Sequence, residues 1–145
     1  KMQKINTGKL KKQCKGNFDI WVDGGHNDHA ASIILNFIKN WPYTNKILIL
    51  GMTAGKNPTG FLRKIIDQFN FLVLLPIDDH QYVQPYEIKE NVKKKLKKKI
   101  IIECCLNIND ALDLISKNYS FGKILICGSL YLAGQVLKAD GFKIK

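Results

Sequence analysis

The segment FDIWVDGGHNDHAASIILNFIKNW, residues 18–41, contains a complete strand–turn–helix unit. Its first six residues form an apolar run that ends in an aspartate, which is typical of a strand buried in a sheet. From Asp28 onward, apolar side chains recur on one helical face: Ala30, Ile33, Ile34, Phe37 and Ile38. Asn27 or Asp28 can cap this helix, and Pro42 favours its end. The segment therefore predicts a strand at 18–23 and a helix at 28–41.

The same alternation continues through the rest of the chain. Apolar runs of strand length occur at residues 46–51, 71–76, 100–103 and 123–128. Segments with a one-sided apolar pattern follow them, at residues 61–69, 86–99, 110–119 and 129–139. Strands that alternate with such helices predict βαβ units, and fully apolar strands indicate a sheet covered on both faces. We therefore predict an α/β fold with a Rossmann-like, open, mostly parallel sheet and helices on both faces.

Residues 1–17 do not follow this alternation. They are polar and lysine-rich and include Gly8 and Gly16, a composition that favours irregular structure. We expect them to form a linker that leads into a single domain at residues 18–145. Because residue 1 is not methionine, we expect the chain to be a fragment, a processed piece or a split product.

The net charge of +11 draws anions and makes nucleic acid the first partner to consider. Nearly all of the positive charge comes from lysine, since Arg63 is the only arginine in the sequence. Proteins that contact bases use arginine and interleave aromatic residues with the charge, and this pattern is absent. We interpret the lysines as a solvated surface and keep a basic nucleic-acid-binding domain as the alternative.

The cysteines and the apolar runs favour a cytoplasmic protein. The longest apolar runs, such as FLVLLP, are too short to cross a bilayer, so we expect no membrane partner. None of the four cysteines forms a C-x-x-C pair, and histidines at metal-ligand spacing are missing. We interpret Cys14, Cys104, Cys105 and Cys127 as reduced thiols in or near the core, and we predict no metal site.

Polar groups follow almost every predicted strand. The strand ends read DGGHN at 23–27, GMTAGKN at 51–57, PIDDH at 76–80, EC at 103–104 and GS at 128–129. In open parallel sheets, ligands bind outside the carboxyl ends of the strands. The sequence therefore predicts that this one edge of the sheet is the functional edge.

The DGGHN turn has the groups that a nucleotide site needs. A strand-terminal carboxylate such as Asp23 typically accepts hydrogen bonds from ribose hydroxyls, and Gly24 and Gly25 allow close approach of a ligand. The following helix begins with free N–H groups that suit an anion. The alternative is that Asp23 and Asn27 only cap the turn and the helix.

Three motifs in order resemble one known family. WVDGGHNDHAA, LGMTAGKN and GSLYLAGQVL resemble the C-terminal domain of folylpolyglutamate synthase / dihydrofolate synthase, a branch of the Mur ligase family. That family has D-G-A-H-N or D-V-A-H-N after the first strand and G-S-L-Y-L-x-G at the last helix. KMQKI at the start is similar to the lead-in W-P-[AG]-R-[ML]-Q of the family. The GSLYLAG motif favours the folate branch over the ligases that act on cell-wall precursors.

The resemblance implies an ATP-dependent ligase that adds glutamate to dihydropteroate or folate through an acyl phosphate. ATP and Mg²⁺ would be bound mainly by a central P-loop domain, and the true P-loop spacing is not found in this sequence. We therefore expect a P-loop domain as partner, in cis or as a split subunit, and no activity of this chain alone. A decayed gene remnant remains a further alternative.

The resemblance also implies roles for individual residues. Asp23 matches the aspartate that contacts the ATP nucleoside, and Asn27 completes the same nucleotide-binding motif. His26 matches the motif histidine near the nucleotide and the reacting groups, so it is the candidate catalytic residue. Ser129 matches the serine expected near the incoming glutamate.

Two lysines complete the set of candidates. Lys56 matches a loop lysine after the second strand, in a loop that only loosely resembles a phosphate-binding loop. Lys1 stands where the family usually has an arginine that contacts ATP. Lysine keeps the positive charge of that arginine but lacks its bidentate fork.

Overall fold

The computed structural model describes residues 2–5 and 8–141. Within these residues the strands are β1 Gln3–Ile5, β2 Asn17–Val22, β3 Lys46–Leu50, β4 Phe71–Leu74, β5 Ile101–Cys104 and β6 Phe121–Cys127. The α-helices are α1 Lys9–Gln13, α2 Asp28–Ile38, α3 Pro58–Ile65, α4 Pro85–Asn91, α5 Ile108–Asn118 and α6 Leu130–Ala139. A 3₁₀ turn at Ile66–Gln68 extends α3, and a π-helical turn at Val92–Leu96 extends α4.

The strands form a single six-stranded sheet in the order β1-β2-β6-β3-β4-β5. Among the described strands, β1 runs antiparallel to β2 and all other neighbours are parallel. Helices α1, α5 and α6 pack on one face, and α2, α3 and α4 pack on the other. The predicted α/β fold with a mostly parallel sheet and helices on both faces is confirmed.

The central strands are apolar throughout because both of their faces are covered. Along β3, Ile47 and Ile49 face the α1, α5 and α6 side, while Leu48 and Leu50 face the α2, α3 and α4 side. All four side chains are fully buried. Successive side chains of a strand point to opposite faces, so an unbroken apolar run is needed where helices cover both.

The expectation of an irregular lead-in over residues 1–17 is wrong for its described part. Residues 3–5 form β1 beside β2, and residues 9–13 form α1. Ile5, Leu10 and Cys14 are buried in the core while the lysines around them face outward. The Leu10 amide also donates a hydrogen bond of 2.9 Å to the Asp140 carboxylate at the end of α6. Strand and helix are both too short for their apolar periodicity to be recognised.

Two predicted helices end earlier than expected. Helix α2 stops at Ile38 rather than residue 41, because Pro42 disfavours helical backbone in the residue before it. Helix α4 gives way to the π-turn and ends at Lys97, which adopts the left-handed conformation with φ 53°. Repulsion within the lysine run of residues 93–99 opposes a regular helix there.

The predicted apolar face of α2 is only partly a core face. Ile34 and Ile38 are buried against the sheet, as expected. Ile33 is 57% exposed and Phe37 is 38% exposed, so these two side chains lie on the outer flank of the helix. The apolar face of α2 is therefore broader than the part of the helix that contacts the sheet.

The four cysteines are free thiols, and two of them are core residues. Cys14 and Cys127 are buried, Cys105 is half-buried, and Cys104 is exposed at the end of the edge strand β5. In the described part of the chain, no helix has the length and apolar character needed to cross a membrane.

The lead-in should contribute to stability as a part of the domain. Leu10→Ala removes a side chain that is 1% exposed, so it should lower the free energy of unfolding by about 2–5 kcal/mol. Lys12→Ala, on the exposed side of the same helix, should change it by less than about 0.5 kcal/mol. Chemical denaturation of both variants measures this, and equal stability of the two would contradict the packing of α1.

Candidate functional site

The site lies where helices leave the sheet in opposite directions. Strands β2 and β6 are parallel neighbours, and Val22 pairs with Ile126 at their carboxyl ends. Helix α2 leaves β2 toward one face, while α6 leaves β6 toward the other. Such a divergence opens a crevice at the carboxyl edge of a parallel sheet, which is the usual place for ligands in this class of fold.

Hydrogen bonds join the turns that follow the two strands. The Asp23 amide donates to the Ile126 carbonyl at 2.9 Å, which extends the strand pairing by one residue. The Gly128 amide then donates to the Gly25 carbonyl at 2.9 Å. Gly128 adopts φ 110°, a left-handed conformation that favours glycine. The residues after β2 and those after β6 are therefore held side by side.

Asp23 holds its own turn in shape. Its carboxylate accepts a hydrogen bond of 2.7 Å from the Gly25 amide, and its side chain is largely buried at 6% exposure. A Cβ on Gly25 would lie 2.8 Å from the Ala30 Cβ, so the turn is packed tightly against α2. The carboxylate is therefore fixed at the tip of β2.

His26 and Asn27 carry the chain from this turn into α2. The Asn27 side chain accepts a hydrogen bond of 2.8 Å from the Ala30 amide, so it caps the helix. His26 Nδ1 lies 3.3 Å from the Gly24 carbonyl oxygen, and the ring is half-buried. The capping role that the sequence analysis left open for Asn27 is thus observed.

Ser129 follows β6 at the same edge of the sheet, but its side chain lines none of the hollows that the described residues form there. It is 3% exposed, and its Oγ accepts hydrogen bonds from the amides of Tyr131 at 3.0 Å and Leu132 at 3.3 Å. Ser129 is therefore the cap of α6. Nothing among the described residues accepts a bond from its hydroxyl hydrogen, which is available to donate.

A hollow of about 440 Å³ opens in the crevice. The turn from Asp23 to Asn27 supplies the polar part of its lining. The rest of the lining is mostly apolar and includes Ile33, Leu130, Ala133, Leu137 and Gln3 of β1. The volume lies in the range of small-molecule sites. A cavity with both polar and apolar lining suits a ligand that has both kinds of group.

A second hollow of about 290 Å³ lies between α2 and α3. His26 and Asn27 line it as well as the first hollow, and Lys56 and Asn57 form its other side. Asn57 caps α3 by accepting a bond of 3.0 Å from the Gly60 amide, while the Lys56 side chain is exposed. The structure therefore brings Lys56 next to His26, with His26 between the two hollows.

Other candidates lie elsewhere. Lys1 is outside the described residues. Asp78 and Asp79 line a separate hollow of about 400 Å³ beside α5 and α6. His80 stacks on Tyr131, with ring centroids 3.7 Å apart. These acids therefore do not join the crevice between β2 and β6.

Two further observations limit the chemistry of the site. Burial raises the pKa of the Cys127 thiol well above its usual range, and the nearby Asp23 charge raises it further. Cys127 is therefore protonated near neutral pH and is a packing residue. Within residues 2–5 and 8–141, no cluster of three or more His, Cys, Asp or Glu side chains could hold a metal ion.

Sequence reasoning missed the apolar wall of the first hollow. The sequence pattern places Gln3 in a linker and Ile33 in the core, and it marks Leu130 and Leu137 only as helix residues. Leu130 is 68% exposed at the first position of α6. An apolar residue that directly follows a serine cap at a strand end was the available signal.

Residues 3–139 match the family described as the C-terminal domain of dihydrofolate synthetase. The dihydrofolate synthetase of Saccharomyces cerevisiae is 28% identical, over 82% of this chain and 30% of that protein. The chain spans about 30% of the length of the curated relatives that it matches.

Solved structures with the same fold include two nucleotide complexes. A folylpolyglutamate synthase from Mycobacterium tuberculosis, complexed with ADP and AMPPCP, matches with a TM-score of 0.77 and 16% identity, over 88% of this chain and 30% of that one. FolC of E. coli in complex with ADP matches with a TM-score of 0.68 and 19% identity, over 83% and 28%. At these identities the likeness establishes the fold alone. The family match covers nearly the whole chain, and we conclude that this protein belongs to the family of dihydrofolate synthetase C-terminal domains.

Proposed function

We propose that this chain is the C-terminal lobe of an ATP-dependent ligase that adds glutamate to dihydropteroate or folate. The observation that carries the proposal is the pair of joined turns: Asp23 and His26 line the first hollow, and the Gly128–Gly25 hydrogen bond holds the turn that leads to the buried Ser129 beside them. The family match supports the same reaction class. The M. tuberculosis and E. coli structures of the same fold hold adenine nucleotides.

The first hollow fits the nucleoside part of ATP. Asp23 is fixed in its wall, where a carboxylate suits the two hydroxyls of a ribose. The apolar side chains of Ile33 and Leu137 in the same wall suit the flat face of a base. In this assignment Asp23 accepts hydrogen bonds from the ribose and orients the nucleotide.

His26 and Lys56 are assigned to the charged groups of the reaction. ATP supplies the phosphoryl group that activates the folate carboxylate as an acyl phosphate. His26 lies between the two hollows and is the candidate to hold or move a proton there. Lys56 places a positive charge beside it, which suits phosphate or carboxylate oxygens. Asn27 keeps this turn in shape as the cap of α2.

Ser129 is assigned to the incoming glutamate. Its oxygen is already used by two amides of α6, so its hydroxyl hydrogen is the group that it offers to a carboxylate. The N-terminus of α6 carries a partial positive charge that favours the same anion.

The remaining functions are assigned to a P-loop domain, joined in cis or bound as a separate subunit. The phosphates of ATP and Mg²⁺ would be held there, because a P-loop spacing is not found in this sequence. Lys1 is the candidate to reach the nucleotide from the lead-in. Whether dihydropteroate or folate is the main substrate depends on that domain.

This chain alone should not catalyse the ligation of glutamate to dihydropteroate. Purified and incubated with ATP, Mg²⁺, dihydropteroate and glutamate, it should release no phosphate above the rate of a blank without protein. Phosphate release with ligated product by this chain alone would contradict the division of labour between the two domains.

Asp23→Asn should weaken nucleotide use in the complete ligase, purified from its source cells through a tag on this chain. Loss of a charge-assisted hydrogen bond costs about 1.5–3 kcal/mol, so the KM for ATP should rise about 10- to 100-fold. The matched control is Asp110→Asn, an exposed acid in the first turn of α5 at the same edge of the sheet. The control should retain its KM for ATP within about twofold. An unchanged KM in the Asp23 variant would contradict the nucleotide assignment.

Ser129→Asp separates capping from substrate binding. Aspartate keeps the cap at this 3% exposed position, and its two amide partners offset part of the cost of burying a charge, so the free energy of unfolding should fall by no more than about 1–3 kcal/mol. The new carboxylate should repel glutamate and raise its KM at least about tenfold, because like charges at a binding site cost more than 1 kcal/mol. Ser129→Ala should lower stability by about 1 kcal/mol through loss of the cap. If Ser129→Asp left the KM for glutamate unchanged, Ser129 would be a cap and nothing more.

A further inference from the structure

An exposed apolar stripe runs along the outer flank of α2. We define the α2 stripe as Ile33, Phe37, Trp41 and the β2 residue Trp21. Ile33 is 57% exposed and Phe37 is 38% exposed, while both tryptophans are half-buried. A helix of a soluble domain normally presents polar side chains on its outer flank. A contiguous apolar surface is typical of an interaction site.

The aromatic members of the stripe hold one another in fixed positions. Ring centroids lie 5.0 Å apart for Trp21 and Phe37, 6.5 Å for Trp21 and Trp41, and 6.3 Å for Phe37 and Trp41. The edge-to-face arrangements of Phe37 with the two indoles are favourable geometries for aromatic pairs. The exposed ring of Phe37 is therefore preorganised, which lowers the entropic cost of binding a partner.

No helix among the described residues covers this corner of the sheet, where Met2, Lys4 and Lys123 lie close to the tryptophans. On this face α3 packs on α2 and α4 on α3, so α2 is the outermost helix on the side of β2 and β1. Trp21 lies on β2 beyond the helix and pairs with Lys4 of the edge strand β1. The stripe therefore lies between the outer flank of α2 and the edge strand β1.

Charged groups border the stripe. Lys4 Nζ lies 5.5 Å from the centre of the Trp21 ring, and Lys123 Nζ lies 5.8 Å from that of Trp41. Both lysines pair with Asp19, at 3.6 Å and 2.8 Å. The hydrogen bond from Lys123 lowers the pKa of Asp19, so this carboxylate stays charged. An apolar centre with a charged rim is the usual composition of a protein interface.

The stripe is continuous with the proposed nucleotide site. Ile33 belongs both to the stripe and to the wall of the first hollow. The matched relatives have about two thirds or more of their length outside the matched region, and the family is that of a C-terminal domain. The region that matches the family begins at residue 3, the first residue of β1, and this strand borders the stripe. A domain that closes over the hollow from this side would cover Ile33 first.

We propose that the α2 stripe is the docking surface for the P-loop domain of the same ligase, an inference that rests on the proposed function. A second copy of this chain is the less favourable occupant, because each copy carries a net charge of +11 and two lysines at the rim of the stripe. The partner surface should present an apolar patch bordered by acidic side chains.

Site-specific photocrosslinking in the native ligase tests this assignment. A benzophenone-bearing amino acid replaces Phe37 in the tagged chain, and the protein is purified from its source cells and irradiated. Ile101 is the matched control, since it is 56% exposed and begins β5, the edge strand on the other side of the sheet from β1. Crosslinked peptides are identified by mass spectrometry. From Phe37 we expect peptides of the domain that carries the P-loop sequence, and from Ile101 we expect none of them.

A pair of double variants measures the energetic contribution of the same surface. Phe37→Gln with Trp41→Gln, neither of which lines the first hollow, should reduce kcat/KM of the complete ligase at least about tenfold, because contacts at an interface centre carry most of its binding energy. Asn36→Gln with Asn40→Gln places the same side chains at exposed positions of the same segment and should change kcat/KM less than twofold. The melting temperatures of the two double variants should agree within a few degrees.

The outcomes separate this inference from the proposed function. Turnover by the purified ligase without any crosslink from Phe37 to the P-loop domain would overturn the docking assignment and leave the ligase function intact. A crosslink to that domain in a preparation that does not turn over would support the docking and contradict the function. A crosslink to a second copy of this chain, or a purified complex without a P-loop domain, would overturn the docking assignment.

Discussion

The hydrogen bond from the Gly128 amide to the Gly25 carbonyl is the constraint on which the candidate site depends. Strands β2 and β6 are parallel neighbours, yet the helices that follow them leave toward opposite faces of the sheet. The 2.9 Å bond keeps the two turns together at the point where the chain diverges. It requires Gly128 at φ 110°, so the glycine before Ser129 is needed for this connection before any ligand is considered. The crevice is thus produced by the backbone path of the two turns and the divergence of α2 and α6.

The polar residues of the site have structural roles that are compatible with chemistry. Asn27 caps α2, Ser129 caps α6, and Asp23 accepts a bond from the amide of Gly25. A cap fixes the position of its side chain, and a positioned group binds a ligand at a lower entropic cost. A serine oxygen that accepts from two amides still has a hydrogen to donate, and a carboxylate can accept several bonds. Capping and ligand binding are therefore not exclusive readings of these residues.

Much of this architecture could be predicted from the sequence because strands buried on both faces are apolar throughout, as in β3. The prediction that the carboxyl edge is functional rests on the same pattern, since Asp23 and Ser129 lie just after the ends of parallel strands. The structure of the short lead-in could not be predicted, because Leu10 is buried only through its packing with α5 and α6, which are distant in sequence. The exposure of Ile33 and Phe37 could not be predicted either. Helical periodicity shows that a helix has an apolar face, but not how much of that face contacts the sheet. The shared position of His26 between two hollows depends on tertiary packing.

A structure of the purified ligase with a non-hydrolysable ATP analogue tests the central claim most directly. The measurement is the distance from the Asp23 carboxylate oxygens to the ribose hydroxyls. The account predicts a hydrogen-bonding distance of about 2.6–3.0 Å, with the base against Ile33 and Leu137 and the phosphates directed toward the P-loop domain. A nucleotide bound with its ribose away from Asp23, or outside the crevice between β2 and β6, would contradict it.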